Sequence, residues 1–203
     1  MHCKPHAFLW VLLVLLLQTI WINGMQQLNI RFSVKNTEKN KILEDTMRII
    51  GQELRCFPIP IAYQSRLYYI DSYGAGRENG MHEGCDIMDK DNKPGEIPIV
   101  SATDGVITNV GWLYLGGYRV GITSTNGIYY YYAHLDSYAA GINTGKQIKA
   151  GELLGFMGNT GEGEEGTSGK FDTHLHFGIY FKDEAGNEKS VNPYPFLLEI
   201  GGE

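Results

Sequence analysis

Four of the six histidines in this 203-residue chain, together with one aspartate, have types and spacing that suit chemistry. His174 and His176 lie two residues apart in a segment that reads as a β-strand. Because side chains alternate along a strand, both imidazoles share one face, while Leu175 and Phe177 share the other. The apolar face is predicted to contact the core, so the two imidazoles are predicted to point away from it.

A second pair is formed by His82 and Asp86, four residues apart. In an extended segment these side chains share a face with Gly84, which leaves room for an imidazole and a carboxylate to reach one ion. Cys85 then points to the opposite face. Although thiolates bind zinc well, Cys85 is therefore predicted to be a small buried side chain and not a metal ligand.

A third strand pattern places Tyr130, Tyr132 and His134 on one face. Three strands thus present four histidines and one aspartate with matching orientation. Zinc prefers histidine nitrogen and carboxylate oxygen, and a catalytic zinc site keeps three protein ligands. Two histidines and the aspartate would complete that set. The two remaining histidines would suit general-base catalysis and stabilisation of a developing oxyanion.

The elements that must position these residues are predicted to be mainly strands. Segments bounded by Gly, Asn, Asp or Pro read as strands at 99–102, 105–112, 118–123, 128–134 and 173–182. Their short connections favour antiparallel hairpins over parallel crossovers. The exception is the stretch 158–169, which holds five Gly and three Glu and is predicted to form one wall of a cleft.

Three motifs make the sequence similar to the lysostaphin/LytM family of zinc endopeptidases, which cleave peptide bonds in bacterial peptidoglycan. They are HEGCDI at 82–87, YAHL at 132–135 and HLHF at 174–177. Weaker matches are ATDGV at 102–106, GELLG at 151–155 and GNTG at 158–161. The resemblance runs in the family's order over about residues 78–182.

The resemblance implies one zinc ion per chain, held by His82, Asp86 and His176. It assigns His134 and His174 to catalysis beside the scissile bond, without dividing the two roles between them. It also implies a mainly β domain in which an antiparallel sheet floors a narrow groove for an extended peptide. The expected partner is a peptidoglycan peptide.

Cys85 departs from the family pattern, and in an exported chain its thiol is open to oxidation or to pairing with Cys56. The bond that is cleaved stays open, with Gly–Gly bridges, D,D cross-links and other stem-peptide bonds as alternatives. Candidates for substrate contacts are Tyr68, Tyr69, Tyr73, Arg77 and Tyr118.

Residues 1–24 differ from the rest of the chain. An uninterrupted apolar run of 11 residues follows Lys4 and His6, which suits a signal peptide and is shorter than a membrane span. A cleaved signal or an uncleaved anchor is expected, so the protein is predicted to be exported. Residues 25–77 form a short helical lead segment with a helix over about 38–54, and 78–200 form the peptidase domain.

Composition excludes several other classes. The formal net charge of −6 argues against a nucleic-acid partner, and the chain has neither a CxxC pair nor a phosphate-binding GxxxxGK[ST] motif. Rival hypotheses are a non-haem iron site, a biotinyl-type carrier hairpin at 145–151, and a metal-binding scaffold or regulator that cleaves nothing. The oligomeric state stays open.

Overall fold

The computed structural model describes residues 5–77 and 80–201, which divide into two compact units, Met1–Met47 and Arg48–Glu203. One long helix, α1 (Pro5–Glu53), confirms the helix predicted over about 38–54 and begins much earlier. No proline interrupts it after Pro5, and it ends five residues before Pro58. Within the described ranges, no helix is both long and apolar enough to cross a membrane.

The second unit is built on antiparallel strands. They are β1 (Leu67–Tyr68), β2 (Gly76–Arg77), β3 (Gly80–Met81), β4 (Cys85–Asp89), β5 (Pro98–Val100), β6 (Gly105–Leu113), β7 (Gly117–Thr123), β8 (Tyr129–Tyr138), β9 (Gln147–Ile148), β10 (Leu153–Met157), β11 (His174–Lys182) and β12 (Glu188–Val191). A 3₁₀ helix precedes β1 (Ile61–Arg66), and α2 (Tyr194–Gly201) follows β12. The mainly β, antiparallel fold and all five predicted strands are confirmed.

The main sheet has the order β1-β4-β11-β8-β7-β6-β9, with β12 beside β11 and with β10 between β5 and the end of β8. A separate ribbon pairs β2 with β3. The strands that the pattern missed are mostly two residues long, which is too short to show a period of two. Ile50, Leu54, Ile59 and Leu67 are buried, so residues ahead of the predicted domain also contribute to the core.

Strand β11 lies at the centre of the site and alternates as predicted. Leu175, Phe177 and Ile179 are fully buried. The His176 side chain points to the opposite face of the sheet. In the strand register, His176 is the partner of Asp86 on β4 and of Ala133 on β8. Directly opposed residues in an antiparallel pair point to the same side of the sheet. The register of β11 therefore brings the aspartate and the histidine to one face, which we call the site face.

The orientation predicted for β8 is wrong. Tyr130 and Tyr132 are fully buried and lie on the core side against Phe177, whereas Tyr131 lies on the site face. His134 nevertheless reaches the site face because its φ of 61° breaks the alternation. The β7–β8 pairing is irregular there, since β8 has one extra residue between the partners of Tyr118 and Val120. Such a bulge redirects a side chain.

Cys56 and Cys85 are both free, so the disulfide considered for them is not formed. Cys85 is fully buried on the core side and its thiol donates to the Ile70 carbonyl at 3.7 Å. Burial, with smaller effects of Asp86 and Asp71, raises the pKa of Cys85 to about 12. The buried, non-ligating position predicted from strand alternation agrees with this geometry.

An ion pair between a buried carboxylate and a partly exposed guanidinium anchors the end of β4. Arg66 donates to both carboxylate oxygens of Asp89, at 3.2 and 2.8 Å. The backbone N–H groups of Asp91 and Lys93 donate to the same carboxylate, at 3.1 and 2.9 Å. Burial alone would raise the pKa of Asp89, but the Arg66 and backbone hydrogen bonds lower it. This carboxylate ties the 3₁₀ helix to the strand that carries Asp86.

We expect Asp89→Asn to lower the free energy of unfolding by about 2 kcal/mol at pH 7. Removing one partner of a buried pair can cost ~3–5 kcal/mol, and here Arg66 keeps Glu96 as a partner at 2.8 Å. Because folding lowers the Asp89 pKa, the stabilisation is present above the ordinary pKa of ~4 and is lost at lower pH. Urea unfolding at pH 7 and pH 3 measures both effects. An equal loss for the exposed Asp91→Asn would contradict the assignment.

Candidate active site

The structure brings together the three residues that the resemblance names as metal ligands. His82 Nε2 lies 3.0 Å from Asp86 Oδ1 and 3.0 Å from His176 Nδ1. His176 Nδ1 lies 2.9 Å from the same carboxylate oxygen. His82 is buried, whereas Asp86 and His176 are partly exposed. These three side chains could hold one metal ion.

The hydrogen-bond partner of His82 shows why a cation fits this cluster. Its Nδ1 lies 2.9 Å from the Ser72 carbonyl, which accepts and thereby assigns the proton to Nδ1. The Nε2 atom then offers a lone pair, and it faces a carboxylate oxygen that is also a lone-pair atom. Two such atoms 3.0 Å apart repel each other unless a proton or a cation lies between them. A histidine held at its second nitrogen is the usual arrangement of a metal ligand.

Asp86 is held at both carboxylate oxygens. Its Oδ1 faces the histidines, and its Oδ2 accepts from Nη2 of Arg77 on β2. Burial would raise the pKa of Asp86, but the close contacts with His176 and His82 outweigh that effect and hold it well below its usual range. Asp86 is therefore an anion under all ordinary conditions. Arg77, a candidate substrate contact in the sequence, bonds this carboxylate.

Gly84 leaves the space that the sequence pattern required. A Cβ atom at this position would lie 2.6 Å from Cε1 and from Nε2 of His176, and 2.8 Å from the Phe177 carbonyl. Such separations are too short for ordinary packing, and the backbone carbonyl cannot move aside as a flexible side chain would. Any larger residue at 84 must therefore displace the His176 ring.

We expect Gly84→Ala to weaken zinc binding by about 10- to 100-fold, the range typical of changes that shift a ligand without removing it. A competition titration with a zinc chelator measures the affinity. Gly51→Ala is the matched control, because a Cβ there would lie 3.8 Å from Phe196, an ordinary contact. Wild-type zinc affinity in a folded Gly84→Ala protein would contradict this account.

His134 and His174 lie together beside the cluster, with ring centroids 4.6 Å apart. The Nδ1–H of His134 donates to the Thr160 carbonyl at 2.8 Å, and that of His174 donates to the Asp172 carbonyl at 2.7 Å. Nε2 of His174 is buried without a hydrogen-bond partner and lies 3.9 Å from Asp86 Oδ1. These bonds leave Nε2 of each ring as the free nitrogen.

Both of these imidazoles are held neutral. Burial, followed by the nearby His174 and His176, lowers the pKa of His134 to about 3. Burial also lowers the pKa of His174, although Asp86 opposes the change. A neutral imidazole whose Nδ1–H is already used presents an Nε2 lone pair that can accept a proton. The site therefore contains two bases next to three potential ligands.

The Gly-rich loop at 158–169 lies against the β6–β7 hairpin. Its Glu162 and Gly163 N–H groups donate to the carbonyls of Leu115 and Tyr114, at 3.3 and 2.9 Å. Its Thr160 carbonyl accepts from His134. The loop therefore holds a histidine of the site in place.

The site face also has an aromatic part that the sequence motifs do not indicate. Tyr131 contacts the His176 ring edge-on with centroids 5.9 Å apart, and Tyr129 and Tyr180 continue the row. These three tyrosines line a groove of about 940 Å³. Tyr129 and Tyr131 are two residues apart on β8, which indicates that they share a face. The bulge at His134 reverses the face that strict alternation from His134 would give them.

The other proposed substrate contacts have mainly structural partners. Tyr69 packs against Phe57, and Tyr118 packs between Trp112 and Tyr138. The Tyr73 hydroxyl lies 2.7 Å from Ser190 Oγ, and half of Tyr68 is exposed on β1.

The antiparallel sheet is that of a lysostaphin/LytM-type domain, as the resemblance predicted. Residues 80–193 match the family model of peptidase family M23, and the chain belongs to that family.

Three relatives illustrate the similarity. The L-Ala–D-Glu endopeptidase of Bacillus subtilis (strain 168) is 41% identical over 143 residues, which cover 70% of this chain and 42% of that protein. A Ruminococcus gnavus protein assigned as glycyl-glycine endopeptidase lytM has a crystal structure with a TM-score of 0.68 at 49% identity, covering 74% of this chain and 62% of that one. Staphylococcus simulans lysostaphin gives a TM-score of 0.52 at 26% identity, over 68% and 52% of the two chains. The chain thus spans less than half of the B. subtilis protein.

Proposed function

We propose that this chain is a zinc-dependent endopeptidase that hydrolyses peptide bonds in bacterial peptidoglycan. One zinc ion per chain is held by His82, Asp86 and His176. The observation that carries the proposal is the convergence of three ligand atoms within about 3 Å of one another, in a member of peptidase family M23. Two histidines and one carboxylate form a donor set that zinc favours and that leaves a position open for catalysis.

When bound, zinc supplies a Lewis acid and lowers the pKa of water. The two neutral histidines then supply the proton transfers. Nε2 of His134 or His174 accepts a proton from the attacking water. The resulting N–H can donate a hydrogen bond to the oxyanion that forms at the peptide carbonyl, or can return the proton to the departing amine. Their Nδ1–H bonds to the Thr160 and Asp172 carbonyls keep both rings oriented for this task.

The groove beside His176 gives an extended peptide a path to the site. Its tyrosine floor supports this assignment because aromatic rings bind backbone and apolar groups without requiring one sequence. The names of the relatives point to two candidate bonds with different charge. A Gly–Gly bond has neutral neighbours, whereas an L-Ala–D-Glu bond has a glutamyl residue that retains a free carboxylate.

Action on peptidoglycan requires export. We assign this role to residues 1–24, as a signal peptide or as an uncleaved membrane anchor, with residues 25–77 leading into the peptidase domain. The only membrane contact proposed is through that first segment.

Digestion of purified peptidoglycan followed by mass spectrometry of the fragments tests this function. We expect the zinc-loaded chain to release new peptide termini, and we expect a chelator to stop the reaction and added zinc to restore it. The new termini identify the bond. A folded chain that binds one zinc ion and releases no fragments would refute the enzyme and favour the metal-binding scaffold.

A further inference from the structure

Arg119 is a charged residue on β7 that the mechanism above does not use. It lies two residues before Gly121, which is the register partner of Tyr131. Residues two apart on a strand share a face, so Arg119 belongs to the site face. Its core-side neighbour Val120 is fully buried, which agrees with this orientation.

Two tyrosines of the groove bracket this arginine. The Tyr131 hydroxyl occupies the space that a side chain at Gly116 would fill. The Tyr129 ring occupies the corresponding space at Gly121. Arg119 stands on β7 between those two glycines. Burial raises the pKa of Tyr129, and the nearby charge of Arg119 opposes that rise. The guanidinium therefore lies close to a tyrosine that lines the groove.

The guanidinium is only partly satisfied. Its Nε and Nη1 atoms are buried and have no hydrogen-bond partner. Buried donors in proteins are nearly always paired, and a buried cation is unfavourable without a compensating anion. The paired arginines of this unit show the contrast, since Arg66 bonds Asp89 and Arg77 bonds Asp86. Arg119 has the fork geometry that binds a carboxylate in two places.

We propose that Arg119 binds a free carboxylate of the substrate, so that this chain cleaves next to an acidic residue and not within a neutral glycine bridge. This inference rests on the proposed function and selects the acidic one of its two candidate bonds. Glu83, Lys182 and Glu188 line the groove near Tyr180. Arg119 lies on β7, on the same face of the sheet as Tyr131. Its two unpartnered donors are the groups that a substrate carboxylate would satisfy.

The test compares two synthetic peptides, N-acetyl-L-Ala-γ-D-Glu-L-Lys with its free α-carboxylate and the same peptide with an α-carboxamide. We expect the zinc-loaded full chain to prefer the acid by about 10- to 100-fold in kcat/KM, the range of a charge-assisted, two-point hydrogen bond. Arg119→Gln removes the preference by slowing cleavage of the acid alone. Arg119→Lys keeps the charge but not the fork and gives an intermediate ratio, which decides the question if Arg119→Gln does not fold.

Lys182→Gln is the matched control, because Lys182 is a cation that lines the same groove. An equal loss of preference in that variant would overturn the assignment to Arg119, as would equal cleavage of both peptides by the wild type. Calorimetric binding of each peptide to the His174→Ala chain gives a second readout that needs no turnover. If the wild type cleaves nothing, the proposed function fails. Binding that does not favour the acid refutes the inference separately.

Discussion

His82→Ala, Asp86→Ala and His176→Ala each lower the zinc content from about one ion per chain to nearly zero and reduce peptidoglycan cleavage to the background rate. The reason is that three converging ligand atoms provide the whole site, and two of them do not satisfy the coordination that zinc requires. Elemental analysis of the purified, folded variants measures the metal. Digestion of peptidoglycan measures the activity in the same samples.

Cys85→Ser is the matched control for these ligand variants. It lies beside Asp86 in sequence but faces the core, and burial with nearby carboxylates keeps its thiol protonated by raising its pKa to about 12. We expect it to retain zinc and most of the activity. Loss of zinc from a folded Cys85→Ser protein, or unchanged zinc in both His82→Ala and Asp86→Ala, would require a different ligand set.

His134→Ala and His174→Ala each lower peptidoglycan cleavage by at least about 100-fold while zinc content and folding stay near those of the wild type. General-base catalysis contributes roughly 10²–10⁴ in rate, and one oxyanion donor contributes roughly 10²–10³. Both rings lie beside the cluster with Nδ1 already bonded to a carbonyl, so each offers one free nitrogen to the reaction.

The ligand variants provide the contrast for this second prediction, since they lose metal and activity together. Wild-type cleavage by either histidine variant would remove that residue from the mechanism. Loss of zinc from either variant would instead make the residue a ligand, and the role of His82, Asp86 or His176 would have to be reassigned.

Strand β11 shows how much of the site could be predicted from the sequence. Its alternation of histidines and apolar residues depends only on the local period of two, and the structure preserves it from His174 to Ile179. Strand alternation predicts the wrong face for the tyrosines of β8, and His134 reaches the site only through a bulge. That bulge is fixed by tertiary hydrogen bonds to the Gly116 and Thr160 carbonyls, for which a strand pattern has no signal.

Long-range partners account for most of what the sequence could not predict. Arg77 bonds Asp86, and the Ser72 carbonyl accepts from His82. Neither contact can be predicted from the residue type, because both depend on how the chain folds around the ligands. The unpartnered guanidinium of Arg119 could be recognised only once the tyrosines around it were located. The N-terminal extent of α1 was missed because its polar middle part has no clear apolar face.

Asp86 and His176 lie 90 residues apart in the chain but face each other on adjacent strands. A metal ion bound by them is therefore also a cross-link that closes a long loop and joins the two ends of the β-domain. A ligand that binds only the native state stabilises it by an amount that grows with the logarithm of the ligand concentration relative to Kd, so folding and metal supply are thermodynamically coupled. We accordingly expect the metal-free chain to be cleaved by proteases more readily than the zinc-bound chain.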